Sequence, residues 1–302
     1  MSETSSSKFS SQEDDYMYQG IDWELFPTYD CNLRCKHCYL SCSPETEDKE
    51  KVLSIEEWKA YLTQLDTRGS LIEVNGGEIT LVWEKTKSIL DCLARKGDCL
   101  FTLITNGTLI TPEMIPFFAS LTPSLMGIRV SLAGGSKETN DFIRGKGSFE
   151  KTLKGLKLLC PLTSTHDIKI VVPFQVHQKT TFEDIEKLIE LGSELGFSIA
   201  TNTLFLDGRT MRNWQKIMLH PKKARELMVY AEKLQLKYFS RNAPKLMEEQ
   251  TISDKKAGAY LGVGEPRLCG VHTGRFKSLK PNGDLGLCSY FALKRSFNKK
   301  KL

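Results

Sequence analysis

No stretch of this sequence approaches the roughly 18 uninterrupted apolar residues that a membrane-spanning helix needs. The first twenty residues, MSETSSSKFSSQEDDYMYQG, also lack the apolar run of a secretory signal, so a cytoplasmic protein is expected. Compositional extremes are missing too. With 40% hydrophobic residues, 26% charged residues and a mean hydropathy of −0.30, whole-chain disorder, collagen and membrane classes drop out. A basic field over the folded part is lacking as well: the net charge of +5 is matched by Lys294, Arg295, Lys299, Lys300 and Lys301 at one end. A nucleic-acid groove needs basic residues clustered on a folded face, so this run reads as a solvated tail and no nucleic-acid partner is expected.

What the chain does have is cysteine, nine in all. An odd count without a signal sequence argues against a disulfide framework. Cys31, Cys35, Cys38 and Cys42 crowd one short segment, Cys269 and Cys288 lie near the other end, and Cys92, Cys99 and Cys160 are scattered as candidate buried thiols. Clustered cysteine in a reducing compartment points to metal.

Residues 1–20 read as a disordered leader. Beyond them, apolar runs suited to strands occur at 24–28, 71–75, 100–105, 127–132, 168–173 and 199–205. Helical patterns lie between them at 54–66, 81–95, 112–121, 149–159 and 181–195. The first helix has a capping signature, Ser54 followed by Glu57, with Trp58, Tyr61, Leu62 and Leu65 at helical spacing. Six strand–helix repeats predict an α/β fold with a parallel sheet, a partial (β/α)6 TIM-like barrel whose chemistry gathers at the carboxyl ends of the strands. The pattern changes after about residue 210. Residues 21–215 are expected to form the barrel core and 216–265 a helical linker, with a helix at 221–237. Residues 266–302 form a small C-terminal hairpin module, a hairpin over 275–287 turning at Pro281-Asn282-Gly283-Asp284, with a basic tail.

The first strand runs into Pro27-Thr28-Tyr29-Asp30 and then Cys31-x3-Cys35-x2-Cys38-Tyr39. Positions 31, 35, 38 and 42 also describe the buried stripe of a helix, although a core stripe normally uses Leu, Ile or Val. Zinc is a second reading, with His37 and Cys42 completing a set, but no second ligand pair stands out. Three thiolates suit a [4Fe–4S] cluster with one iron left open.

At this point the sequence resembles the radical S-adenosylmethionine (SAM) enzymes. The cysteine motif with its following aromatic residue matches that family's signature. Gly76-Gly77-Glu78 resembles its GGE motif, Thr105-Asn106-Gly107 follows the third strand, and Ser131-Leu132-Ala133-Gly134 and Arg144-Gly145-x-Gly147 follow the fourth. The likeness covers about residues 23–210. It implies Cys31, Cys35 and Cys38 as cluster ligands, with S-adenosylmethionine on the fourth iron. Gly76 and Gly77 would let backbone approach the cofactor, Glu78 would meet its amino group, and Asn106, Ser131 and Arg144 would contact ribose or carboxylate, with Tyr39 beside the adenine. It also implies reductive cleavage of the cofactor to a 5′-deoxyadenosyl radical that takes hydrogen from a substrate, with a low-potential donor such as flavodoxin or ferredoxin.

Cys269-Gly270 and Pro281-Asn282-Gly283-x4-Cys288 resemble the opening of the SPASM or twitch extension of peptide-modifying relatives, which would hold an auxiliary iron–sulfur cluster. No cysteine follows Cys288, so that module is incomplete in this sequence. Asp207, just past the sixth strand with Arg209, is a candidate proton acceptor. The leading expectation is a radical enzyme acting on a peptide or protein. A porphyrin-type or other small-molecule precursor, and a degenerate iron–sulfur or zinc-binding protein, are the alternatives.

Overall fold

The structure is a computed structural model and describes residues 21–44, 46, 52–202, 204–242 and 277–286. The leader, the 243–276 stretch and residues 287–302, with Cys269, Cys288 and the basic tail, lie outside the described residues. Six strands appear where the apolar runs predict them: β1 (Trp23–Leu25), β2 (Leu71–Val74), β3 (Leu100–Thr105), β4 (Leu125–Val130), β5 (Lys169–Gln175) and β6 (Ser198–Asn202). All pair in parallel with their sequence neighbours. The chain is an α/β protein with the partial TIM-like barrel its repeats imply.

The helices that link the strands follow local rules. Helix α1 (Ile55–Gln64) carries the expected capping box, the Ser54 side chain accepting from Glu57 N–H and Glu57 accepting from Ser54 N–H. Helix α2 (Trp83–Lys96) follows a 3-10 turn at Ile79–Val82 and stops at Gly97, in the left-handed conformation. Then come α3 (Ile115–Ser120), α4 (Lys137–Arg144), α5 (Ser148–Leu159), α6 (Pro161–His166) and α7 (Phe182–Leu195). The last two are α8 (Gly208–Ile217) and α9 (Pro221–Asn242), the latter five residues longer than expected. One apolar core joins helices to sheet, with Trp58, Phe101, Phe118 and Phe174 essentially sealed from solvent. Each such burial contributes about 1.5–3 kcal/mol.

A hairpin, β7 (Lys277–Leu279) and β8 (Leu285–Gly286), completes the sheet. Its turn has the left-handed glycine, Gly283, that the sequence calls for. Strand β7 adds in parallel to β1, Trp23 beside Lys277 and Leu25 beside Leu279, and Phe26 N–H donates to Leu279 O at 2.9 Å. The strand order is therefore β6-β5-β4-β3-β2-β1-β7-β8, seven parallel strands and one antiparallel. Among the described residues no helix is long and apolar enough to cross a membrane.

His177, just beyond β5, is 1% exposed and stacks on Phe142 with ring centroids 5.8 Å apart. One ring nitrogen, Nε2, lies 3.0 Å from Ala133 O, and the other, Nδ1, accepts from Lys179 N–H. Those partners fit the neutral ring, and burial pulls its pKa down to about 4. The unfolded chain takes up a proton near pH 6.5 and the folded one near pH 4, so this contribution is intact above pH 6.5 and lost as pH falls toward 4. Denaturant titrations at pH 7 and pH 4.5 are expected to show His177→Gln losing less stability than the parent, by up to about 3 kcal/mol.

Candidate active site

The cysteine segment between β1 and α1 has no helix; it is a chain of turns. A buried helical stripe is thereby set aside. The segment is pinned at its ends by Cys31 N–H to Ser43 O at 3.0 Å and Thr46 N–H to Asp30 Oδ1 at 2.9 Å. Its middle is held by α8. Arg209 donates from Nε to Cys35 O at 2.9 Å, from Nη1 to Ser41 O at 3.0 Å and from Nη2 to Cys42 O, and its own N–H donates to Cys38 O. Thr210 Oγ1 donates to His37 O at 2.8 Å and Asn213 Nδ2 to Lys36 O at 3.1 Å. Six of the eight carbonyls from Cys35 to Cys42 thus accept from one helix. The approach is close enough that a Cβ on Gly208, at φ 54°, would stand 2.1 Å from Tyr39 O.

The thiols of Cys31, Cys35 and Cys38 face a cavity of about 400 Å³ at the carboxyl ends of the strands. Cys31 Sγ accepts from Leu33 N–H at 3.4 Å and from Asn106 Nδ2 at 3.9 Å. Burial pushes the Cys31 thiol up to about 12 and raises Cys35 as well. Cys38 moves the other way, down to about 6, because the Cys42 thiol donates a hydrogen bond to it. Cys42, 2% exposed, is held well above the usual thiol range by the same bond and by burial. Its place beside Cys38 is that of a hydrogen-bond donor to that sulfur. Cys99 and Cys160 are buried as expected, whereas Cys92 is only partly so.

Tyr39, Gly76, Gly77, Asn106, Ser131 and Arg144 also line this cavity. The structure gives the glycines a nearer reason than cofactor approach. A Cβ on Gly76 would meet Thr28 O at 2.4 Å, and one on Gly77 would meet Asp30 O at 2.1 Å. Both residues let the β2 loop hydrogen-bond along the β1 loop, through Gly77 N–H to Thr28 O and Glu78 N–H to Asp30 O. The Asn106 side chain is engaged by Asn32 and Thr108. The Tyr39 ring stands 6.0 Å from Phe205, and its hydroxyl lies 3.4 Å from Asn75 Nδ2.

Two further candidate residues have partners close at hand. The Glu78 carboxylate, 1% exposed, is outside the cavity lining. It accepts from Thr80 N–H, Thr80 Oγ1, Thr105 Oγ1 and Asn106 N–H, tying the ends of β2 and β3 together. Asp207 is exposed, caps α8 through Gly208 N–H at 2.7 Å and is not among the residues that line the cavity, although Phe205 and Arg209 on either side of it are. Since Asn caps helices as well as Asp does, Asp207→Asn is expected to shift stability by less than about 0.5 kcal/mol and to leave product formation, read by mass spectrometry, unchanged.

The residues present fit a cluster and a zwitterionic cofactor. Four cysteines, Cys31, Cys35, Cys38 and Cys42, line one cavity, yet among the described residues no three His, Cys, Asp or Glu converge on a single-ion site, which suits a multi-iron cluster better than zinc. Arg144, 7% exposed at the end of α4, has a buried Nε without a partner, a donor suited to a carboxylate in the cavity.

Comparison with known proteins bears on the same segment. The family model of the Radical SAM superfamily matches residues 25–176. The antilisterial bacteriocin subtilosin biosynthesis protein AlbA of Bacillus subtilis is 36% identical over 172 residues, 55% of this chain and 36% of that protein. The AdoMet-dependent heme synthase of Methanosarcina barkeri is 32% identical over 194 residues, 62% of this chain and 50% of that one. The chain therefore spans between about a third and a half of these relatives. The crystal structure of Streptococcus suis SuiB bound to S-adenosylmethionine has a TM-score of 0.62 at 16% identity, covering 90% of this chain and 59% of that one, a likeness of fold.

Proposed function

The chain belongs to the radical SAM superfamily, and from that membership we propose that Cys31, Cys35 and Cys38 hold a [4Fe–4S] cluster whose open iron takes S-adenosylmethionine. The observation that carries this is the sharing of one strand-end cavity by the three thiols and the unpartnered Arg144 Nε. When bound, the pair supplies a reducing electron and a carbon-centred radical that takes hydrogen from an unactivated carbon. This chain's residues do the rest. Arg144 binds the cofactor carboxylate, Ser131 and Asn106 offer polar contacts to its ribose, and Tyr39 with Phe205 forms an aromatic wall for the adenine. Gly76 and Gly77 keep the β2 loop tight against the cysteine loop. Glu78 acts at one remove, holding the Asn106 backbone in place.

The substrate in this reading is a peptide or protein, supported by the likeness to AlbA, with a low-potential protein as electron donor. A porphyrin-type precursor is the second reading, favoured by the likeness to a heme synthase. Cys269 and Cys288 would contribute to an auxiliary cluster; an iron count of about eight per chain requires one, and about four contradicts it. The reading as a whole is tested by anaerobic reconstitution with iron and sulfide, then mass spectrometry for 5′-deoxyadenosine formed from S-adenosylmethionine and dithionite. The parent protein is expected to form it. A Cys31→Ala/Cys35→Ala/Cys38→Ala variant is expected to bind less than a tenth of the iron and form none. A parent with a full cluster and no product, alone or with candidate peptides and porphyrins, would be a binding protein rather than an enzyme.

A further inference from the structure

Arg129 lies on β4, a strand paired on both sides, and its side chain lines the same cavity as the cysteines. It is two residues before Ser131, about 7 Å deeper along the strand than the cofactor-facing level. Its Nη1 donates to Glu73 Oε2 at 2.7 Å, reaching past β3 to the inner face of β2. Glu73 is sealed, its side chain 4% exposed, whereas the Arg129 side chain keeps 32% of its surface open.

A pair that only closed the barrel would serve better as apolar side chains, since burying two charges costs more than their attraction returns unless the geometry and remaining hydrogen bonds are excellent. Here they are not complete: a guanidinium has five N–H donors, and among the described residues Arg129 commits one, to Glu73. Glu73 holds the fork at one nitrogen, and about a third of the Arg129 side chain stays open where the residue lines the cavity. A planar fork with free N–H groups in a desolvated cavity is built for a carboxylate.

We propose that Arg129 is the substrate anchor of this site and that the substrate carries a carboxylate, with Glu73 as the residue that positions Arg129. The inference rests on the catalytic reading above and deepens it. Two sources share this chemistry, the free end or acidic side chain of a peptide and the propionate of a porphyrin. Burial raises the Glu73 carboxyl, and the Arg129 guanidinium beside it pulls the other way.

Calorimetry on the cluster-loaded protein tests this with two pairs of probes: acetyl-Ala-Phe against its C-terminal amide, and coproporphyrin against its tetramethyl ester. In at least one pair the acid is expected to bind at least tenfold more tightly than its neutral partner, and the responding pair identifies the source. R129Q is expected to lose that preference and R129K to keep part of it. The double variant E73Q/R129Q, which leaves no lone buried charge, serves if R129Q does not fold. Equal binding within both pairs, no binding of any probe, or a preference that survives in both R129Q and E73Q/R129Q overturns the proposal. Cofactor cleavage in the same parent preparation without probes reads the underlying activity separately. Cleavage without acid preference sinks the anchor alone, and absence of cleavage both without and with the probes sinks the catalytic reading.

Discussion

Gly77→Ala protein is expected to unfold at a temperature roughly 5–10 °C below the parent and to retain less than half of its iron after desalting. The cause is backbone against backbone. The added methyl would lie 2.1 Å from Asp30 O and 2.6 Å from Tyr29 O, neither of which can swing aside as a side chain would. Overpacking of this kind costs about 3 kcal/mol, a shift of a few degrees per kcal/mol in a domain this size. The displaced residues are those immediately before Cys31, so the damage passes directly to the first thiol. Gly69→Ala is the comparison: it has a left-handed φ of 65° but open space around it, and is expected to cost only about 1 kcal/mol with iron binding intact. Thermal unfolding followed by circular dichroism, with iron assayed on the same samples, separates the two.

Arg209→Gln is expected to fold and to lose iron at least tenfold faster than the parent when challenged with a chelator. Three charge-assisted hydrogen bonds to Cys35 O, Ser41 O and Cys42 O disappear at once, each worth about 1.5–3 kcal/mol. Because the helix itself is capped by Asp207 and Thr210 keeps its bond to His37 O, the loss falls on the cysteine loop more than on α8. Arg209→Lys is expected to rescue little, since a single ammonium on a flexible stem does not reproduce a fork that spans three carbonyls. Iron-release rates of the three proteins under one chelator concentration check this. A lysine variant as retentive as the parent would reduce Arg209 to a source of positive charge.

The strands were legible because buried parallel strands read as near-continuous apolar runs, and all six fall within a few residues of expectation. The cap at Ser54 and the turn at Gly283 were legible because their chemistry is local. Helix α4 was not, being eight residues long with only Phe142 and Ile143 as large apolar residues. Helix α8 hid for a related reason: its gripping residues Arg209, Thr210 and Asn213 serve carbonyls, and no apolar period marks that work. Asp207 and Glu78 have backbone partners that the sequence does not show. A carboxylate next to a strand end suits chemistry, but each of these meets a backbone need nearer to hand. Arg129 and Glu73 stand inside strands, where sequence alone does not tell which face turns inward, so the anchor emerges only from register and contact.

The parallel seat of β7 beside β1 also has a consequence for synthesis. Trp23 and Lys277 are neighbours in space but 254 positions apart in the chain. Until residue 279 has been made, the outer edge of β1 has no strand to pair with, although β2 to β6 can already assemble on its other side. Between the end of β6 at Asn202 and the start of β7 at Lys277 the ribosome adds 75 residues, which at about 5–20 residues per second takes about 4–15 s. For that interval the described part of the nascent barrel carries an open sheet edge at β1, a site for mispairing that closes when β7 docks.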